Sequence, residues 1–154
     1  MFSSELAALY ARDLARLTQQ IRAFPDDESL WQTAPGVSNS AGNLALHLEG
    51  NLREYIGRQL GSIPYSRARP LEFGQKGLAK EDVIARIEHV HEIVPGVIRG
   101  LSSAALDAQY PEQVLGVPMT ARQFLVHLLG HLNYHLGQID YLRRITTGAG
   151  ALKL

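Results

Sequence analysis

The chain has no cysteine in its 154 residues, so it has no disulfide, no thiolate nucleophile and no cysteine-ligated metal site. Histidine and carboxylate are left as the available metal ligands. An excess of either charge is also lacking: Lys+Arg and Asp+Glu stand at 15 each, so no net field draws the chain to nucleic acid or to an acidic membrane. No apolar run reaches transmembrane length, and the opening MFSSELAALYARD turns polar and acidic too early for a signal peptide. The cytoplasm is therefore the default compartment. Internal repeats, low-complexity segments and a convincing alternating strand pattern are missing as well.

What is there is the ordinary balance of a globular protein, 45% hydrophobic and 19% charged. Residues 1–154 are expected to form one domain, large enough to bury a core without staples. Four segments carry a helical period, each bounded by breakers. The first spans about Ser4 to Phe24, with Leu6, Leu9, Leu14, Leu17 and Ile21 as its stripe and Pro25 as its stop. The second runs from about Ser40 to Leu60, before Gly61, and the third from about Lys80 to Leu101. Pro95 is expected to kink or split that third helix. The fourth opens on the capping box of Thr120 and Gln123 and runs to about Ile145. These periods predict an all-α fold of four packed helices joined by long connections. The lone tryptophan, Trp31, lies in the first connection and is read as a packing anchor.

The chemistry is concentrated in FLVHLLGHLNYHLGQIDYLRR, residues 124–144. His127, His131 and His135 follow one another at four-residue steps, which stacks them on one helix face. Each step climbs about 6 Å, so two adjacent members can share an ion far more readily than three. A further ligand must come from another helix. His47, in NLALHLEGNLREYIG, is the other histidine on a strongly apolar stripe. A buried imidazole needs a partner, and metal is one such partner. The spacing thus points to one divalent metal held between two helices by His47, His131 and His135. Zinc or nickel fits best, with iron or manganese as further candidates.

Three protein ligands leave a position for water, substrate or thiol, as in catalytic zinc sites. Residues 131–135 read HLNYH and lack the glutamate of HExxH, which excludes the zincin arrangement. Asn51, Gln138 and His127 stand as neighbours of the ligands. Glu49, Tyr134 and Asp140 are weaker candidates for proton transfer, and no general base is assigned. Glu49 lies about 200° around its helix from His47, which argues against an iron site of two histidines and one carboxylate. His89 and His91 flank Val90, cannot share a face and fall outside the site. The long connection GSIPYSRARPLEFGQKGL reads as a lid, a substrate wall or a solvated crossover.

The histidine in LALHLEGN, followed by HLLGHLNYHLGQIDYLRR and its HxxxHxGQI from His131 to Ile139, resembles the DinB/YfiT-like superfamily. The likeness covers essentially the whole chain, including PEQVLGVPMT before the last helix. It implies an up-up-down-down four-helix bundle, often a homodimer, with a three-histidine metal site at His47, His131 and His135. His127 has no counterpart among the family's ligands. The resemblance further implies a small-molecule enzyme, either a transferase using a low-molecular-weight thiol as co-substrate or a metal-dependent hydrolase. Transfer is favoured, and Arg67 and Arg69 are candidates for the thiol's carboxylates. The rival expectation is a non-catalytic dimeric bundle whose metal is structural, sensing or absent.

Overall fold

A computed structural model describes residues 2–153. Four long helices carry the fold: α1 (Phe2–Arg22), α3 (Ala41–Leu52, continued by a π-helical segment Arg53–Arg58), α5 (Lys80–Gly100) and α7 (Ala121–Thr147). Three short ones, α2 (Asp27–Leu30), α4 (Arg69–Gly74) and α6 (Ser103–Asp107), lie in the connections. Among the described residues there is no strand, only an isolated bridge between Gln109 and Thr120.

The sequence signals account for the helix ends. Ser40 accepts from the Asn43 N–H at the start of α3, and Thr120 and Gln123 form a reciprocal capping box at the start of α7. Gly148, with φ 70°, takes the left-handed turn that closes α7. Two details differ from expectation. Helix α5 runs unbroken from Lys80 to Gly100, with Pro95 inside it; the buried ring costs one backbone hydrogen bond without dividing the helix. On α1 the stripe passes through Tyr10 rather than Leu9, which is 37% exposed. The phenol is wholly buried because its hydroxyl donates to the Leu125 carbonyl at 2.7 Å.

Each long helix packs on two neighbours, in the ring α1–α5–α3–α7. Contacts along the helices fix their directions. Tyr10 meets Leu125, Asp13 meets Asn133 and Gln20 meets Asp140, so α1 and α7 run parallel. Tyr55 faces Phe124 while His47 faces His131 and His135, so α3 runs against α7. Arg22 pairs with Glu88, and Lys80 reaches the Phe24 carbonyl, so α5 runs against α1 and with α3. The four-helix bundle is as expected, but its directions are up-down-down-up rather than up-up-down-down. The connection between α3 and α5 is the reason: it travels back along α3, so α5 restarts in the same direction.

That returning strap covers the side of α3 that a bundle helix normally turns to water. Every residue of Ala41–Leu52 is buried. Small residues make room for the cover. A Cβ at Gly42 would lie 2.7 Å from the Trp31 ring, whose Nε1–H donates to the Leu78 carbonyl at 2.9 Å. Trp31 is thus the packing anchor that the sequence suggested.

Candidate metal centre

α3 and α7 face each other with their histidines level. The 6 Å climb between His131 and His135 is absorbed by placing His47 opposite the gap between them. His47 Nε2 lies 3.1 Å from His131 Nε2, and His135 Nε2 lies 3.1 Å from the same atom. The three rings meet nearly edge to face, at 78–89°. Two nitrogens bound tetrahedrally to one zinc at about 2.05 Å would be roughly 3.3 Å apart. The observed separations therefore suit one face of a metal coordination polyhedron. Among the described residues this is the one group of three or more His, Cys, Asp or Glu side chains able to hold an ion.

The outer nitrogens decide which lone pairs are free. His47 Nδ1 lies 2.8 Å from Glu72 Oε2, and His135 Nδ1 lies 2.6 Å from Gln138 Oε1. Both oxygens accept, so both Nδ1 atoms carry the proton and both Nε2 atoms present lone pairs to the centre. His131 Nδ1 is buried with no protein partner. Burial, with the neighbouring His135 and His47, pushes the His131 imidazole down to about 4. Burial, opposed by the Gln138 hydrogen bond, lowers His135 as well. Both rings are thus neutral near pH 7, the state in which imidazole binds metal.

Glu72 was not foreseen from sequence. It sits on α4 in the strap and is 5% exposed. Arg67 clamps it from the far side, with Nε 2.6 Å from Oε1 and Nη2 2.9 Å from Oε2. Burial raises the Glu72 carboxyl, but the His47 and Arg67 hydrogen bonds outweigh this and leave it below its ordinary value. The strap is pinned beside it by Asn43, whose Nδ2 reaches the carbonyls of Glu72, Phe73 and Gln75 at 2.8–3.2 Å. Phe73 lays its ring 4.9 Å from that of His47. The connection is a wall of the site. One signal for Glu72 was available: it is the single acidic residue between Gly61 and Ala79, among Arg67, Arg69 and Lys76.

The other candidates divide cleanly. Gln138 is brought to the centre. Asn51 is buried one turn from His47, but its Oδ1 has no partner. His127 is exposed and stacks on Phe124, with ring centroids 5.9 Å apart. Tyr134 touches the His135 ring edge-on and is 64% exposed. Glu49 turns away and pairs with Arg53, and Asp140 accepts from Gln20 and Arg143 in the contact with α1. His89 is exposed and His91 half-buried, both outside the centre.

Two clefts adjoin the outer partners rather than the imidazoles. One of about 420 Å³ lies behind α3, lined by Leu46, Glu49, Arg53, Tyr65 and Arg86, with Glu72 in its wall. The other, about 350 Å³, is an apolar groove of Val37, Leu44, Tyr141, Leu142 and Ile145, with Gln138 in its floor.

A four-helix bundle with three convergent histidine Nε2 atoms on facing helices defines a class of helical proteins with a candidate metal centre. Residues 9–139 match the sequence model of the DinB superfamily, and the chain belongs to that superfamily. A crystal structure of a DinB-like protein from Bacillus cereus shares the fold, with a TM-score of 0.73. That match covers 97% of this chain and 95% of the other at 17% identity. No curated protein matches the chain. None of its described helices is long and apolar enough to cross a membrane.

Proposed function

We propose that the protein is a divalent-metal-dependent enzyme acting on a small molecule, with His47, His131 and His135 as the metal ligands. The observation that carries this reading is the convergence of three Nε2 atoms, with neighbours 3.1 Å apart and no fourth His, Cys, Asp or Glu ligand in the group among the described residues. A divalent ion there supplies a Lewis acid with an open position for water or thiol.

The reaction class that fits best is transfer onto a low-molecular-weight thiol. Zinc lowers the pKa of a bound water to about 7, but hydrolysis also needs a group to move protons, and the carboxylate touching the triad, Glu72, is already saturated by His47 and Arg67. A thiol, with a free pKa of about 8.5, is deprotonated outright when it coordinates a metal and needs no such group. In such a transfer the S–C bond forms as the bond from carbon to the leaving group breaks. The electron pair goes with the leaving group, and the thiol proton goes to solvent. The groove over Gln138, at about 350 Å³, falls in the size range of small-molecule sites and suits an apolar electrophile.

Cobalt(II)-loaded protein tests this directly. Titration with a low-molecular-weight thiol such as cysteine is expected to perturb the visible cobalt bands, with a new sulfur-to-metal charge-transfer absorption. Bands that ignore thiol and exchangeable small ligands would mean a closed, structural ion and would overturn the enzymatic reading.

A further inference from the structure

We infer that Glu72 is a metal-positioning residue, and that the strap carrying it and a metal at the three histidines hold one another in place. This rests on the metal reading above and adds a residue and a coupling to it.

The strap is built unlike the rest of the fold. Glu72 is the one residue of α4 that is buried, while its neighbour Leu71 is 60% exposed. A short helix whose one buried residue is a carboxylate draws little of its order from apolar burial. Burying that charge is unfavourable unless partners surround it. The partners come from both sides: His47 Nδ1 on Oε2, and Arg67 on both oxygens. Phe73 adds one apolar contact, on the His47 ring, and further fastenings are polar. Asn43 holds three strap carbonyls, and Lys76 Nζ returns to Asn43 Oδ1 at 2.6 Å. Segments fastened this way open at lower free energy than core helices.

At His47 the two functions meet on one ring. Glu72 fixes the proton on Nδ1 and so aims the Nε2 lone pair at the centre. A cation on Nε2 makes Nδ1–H a stronger donor, which tightens its bond to Glu72. Coupling between two such events is reciprocal: whatever the strap contributes to metal affinity, the metal returns to strap docking. Arg67 keeps Glu72 turned toward the ring and shares in the coupling without touching the imidazoles.

The test pairs zinc calorimetry with hydrogen exchange on the full chain. Glu72→Ala is expected to weaken zinc binding about 10–100-fold, and Arg67→Ala to weaken it in the same direction. Glu72→Gln keeps an oxygen acceptor and should bind closer to wild type than Glu72→Ala does, a rescue that loss of packing alone would not give. In wild type, zinc should slow exchange across residues 63–76 about tenfold or more, and in Glu72→Ala it should not. Helical circular dichroism confirms that each variant is folded. If Glu72→Ala and wild type bind zinc within about twofold of each other, or if zinc leaves strap exchange unchanged, the inference falls while the metal site stands. If wild type takes up neither zinc nor nickel, the metal reading itself fails and takes this inference with it.

Discussion

Gly50 lies directly beneath the Glu72 side chain: a Cβ at position 50 would come within 2.9 Å of Glu72 Cδ and closer still to Oε1. The glycine in HLEGN is therefore a gap that lets the strap's carboxylate cross α3 and reach His47. Gly50→Ala sets two effects against each other. Alanine favours a helix interior by about 1 kcal/mol, but pushing the buried Glu72 carboxylate off its partners costs more, so global stability should fall by about 1 kcal/mol or more. Zinc affinity should fall about tenfold as well, because the displaced carboxylate leaves His47 Nδ1. Calorimetry beside a urea melt reads both, and unchanged zinc affinity would refute the role given to the gap.

Tyr10 ties α1 to α7 through its hydroxyl on the Leu125 carbonyl. Tyr10→Phe keeps the packing and removes that bond, so it should cost about 1 kcal/mol in urea denaturation. Zinc affinity should not change, since Tyr10 touches none of the three histidines.

Acid stability should depend on Asp13 and Glu54. Burial raises the Asp13 carboxyl, but hydrogen bonds from Arg12 and Asn133 and the charges of Arg12 and Arg16 outweigh it, and the net shift is downward. At Glu54 the Arg58 hydrogen bond is the largest influence, opposed by burial, and the net shift is again downward. A carboxyl held below its unfolded value stabilises the fold at pH above about 4 and loses that contribution as pH falls through the folded value. Urea midpoints measured from about pH 6 down to pH 3 should therefore decline, and Asp13→Asn should flatten part of the decline.

Arg143 is 1% exposed and joins three elements: it donates to Gln20 Oε1 at 2.8 Å, to the Gly150 carbonyl at 2.9 Å and to Asp140 at 3.3 Å. Arg143→Ala leaves Gln20 and Asp140 short of a donor and releases residues 148–153 from the bundle. It should destabilise the protein by about 3 kcal/mol and speed proteolysis of that tail.

The three histidines were legible in the sequence because helical spacing is a local property, and because a polar residue on an apolar stripe calls for an explanation. Gln138 was legible for the same reason, three residues beyond His135 on the same helix. Glu72 was not, since it lies 25 residues from His47 in a connection without a period, and its partner is set by the path of the strap. The helix directions were likewise hidden. All three connections have similar lengths, and only the tertiary course of the α3–α5 strap makes those two helices parallel. Tyr10 displaced Leu9 from the stripe through a hydrogen bond to Leu125, a contact 115 residues away. The π-helical turn at Arg53–Arg58 left no mark in the apolar pattern.

Metal content of tag-free protein tests the central claim most directly, by elemental analysis of wild type beside His47→Ala, His131→Ala and His135→Ala. The account predicts about one divalent ion per chain in wild type and loss of that ion in each folded variant. Wild-type protein that stays metal-free after incubation with zinc and with nickel would contradict it.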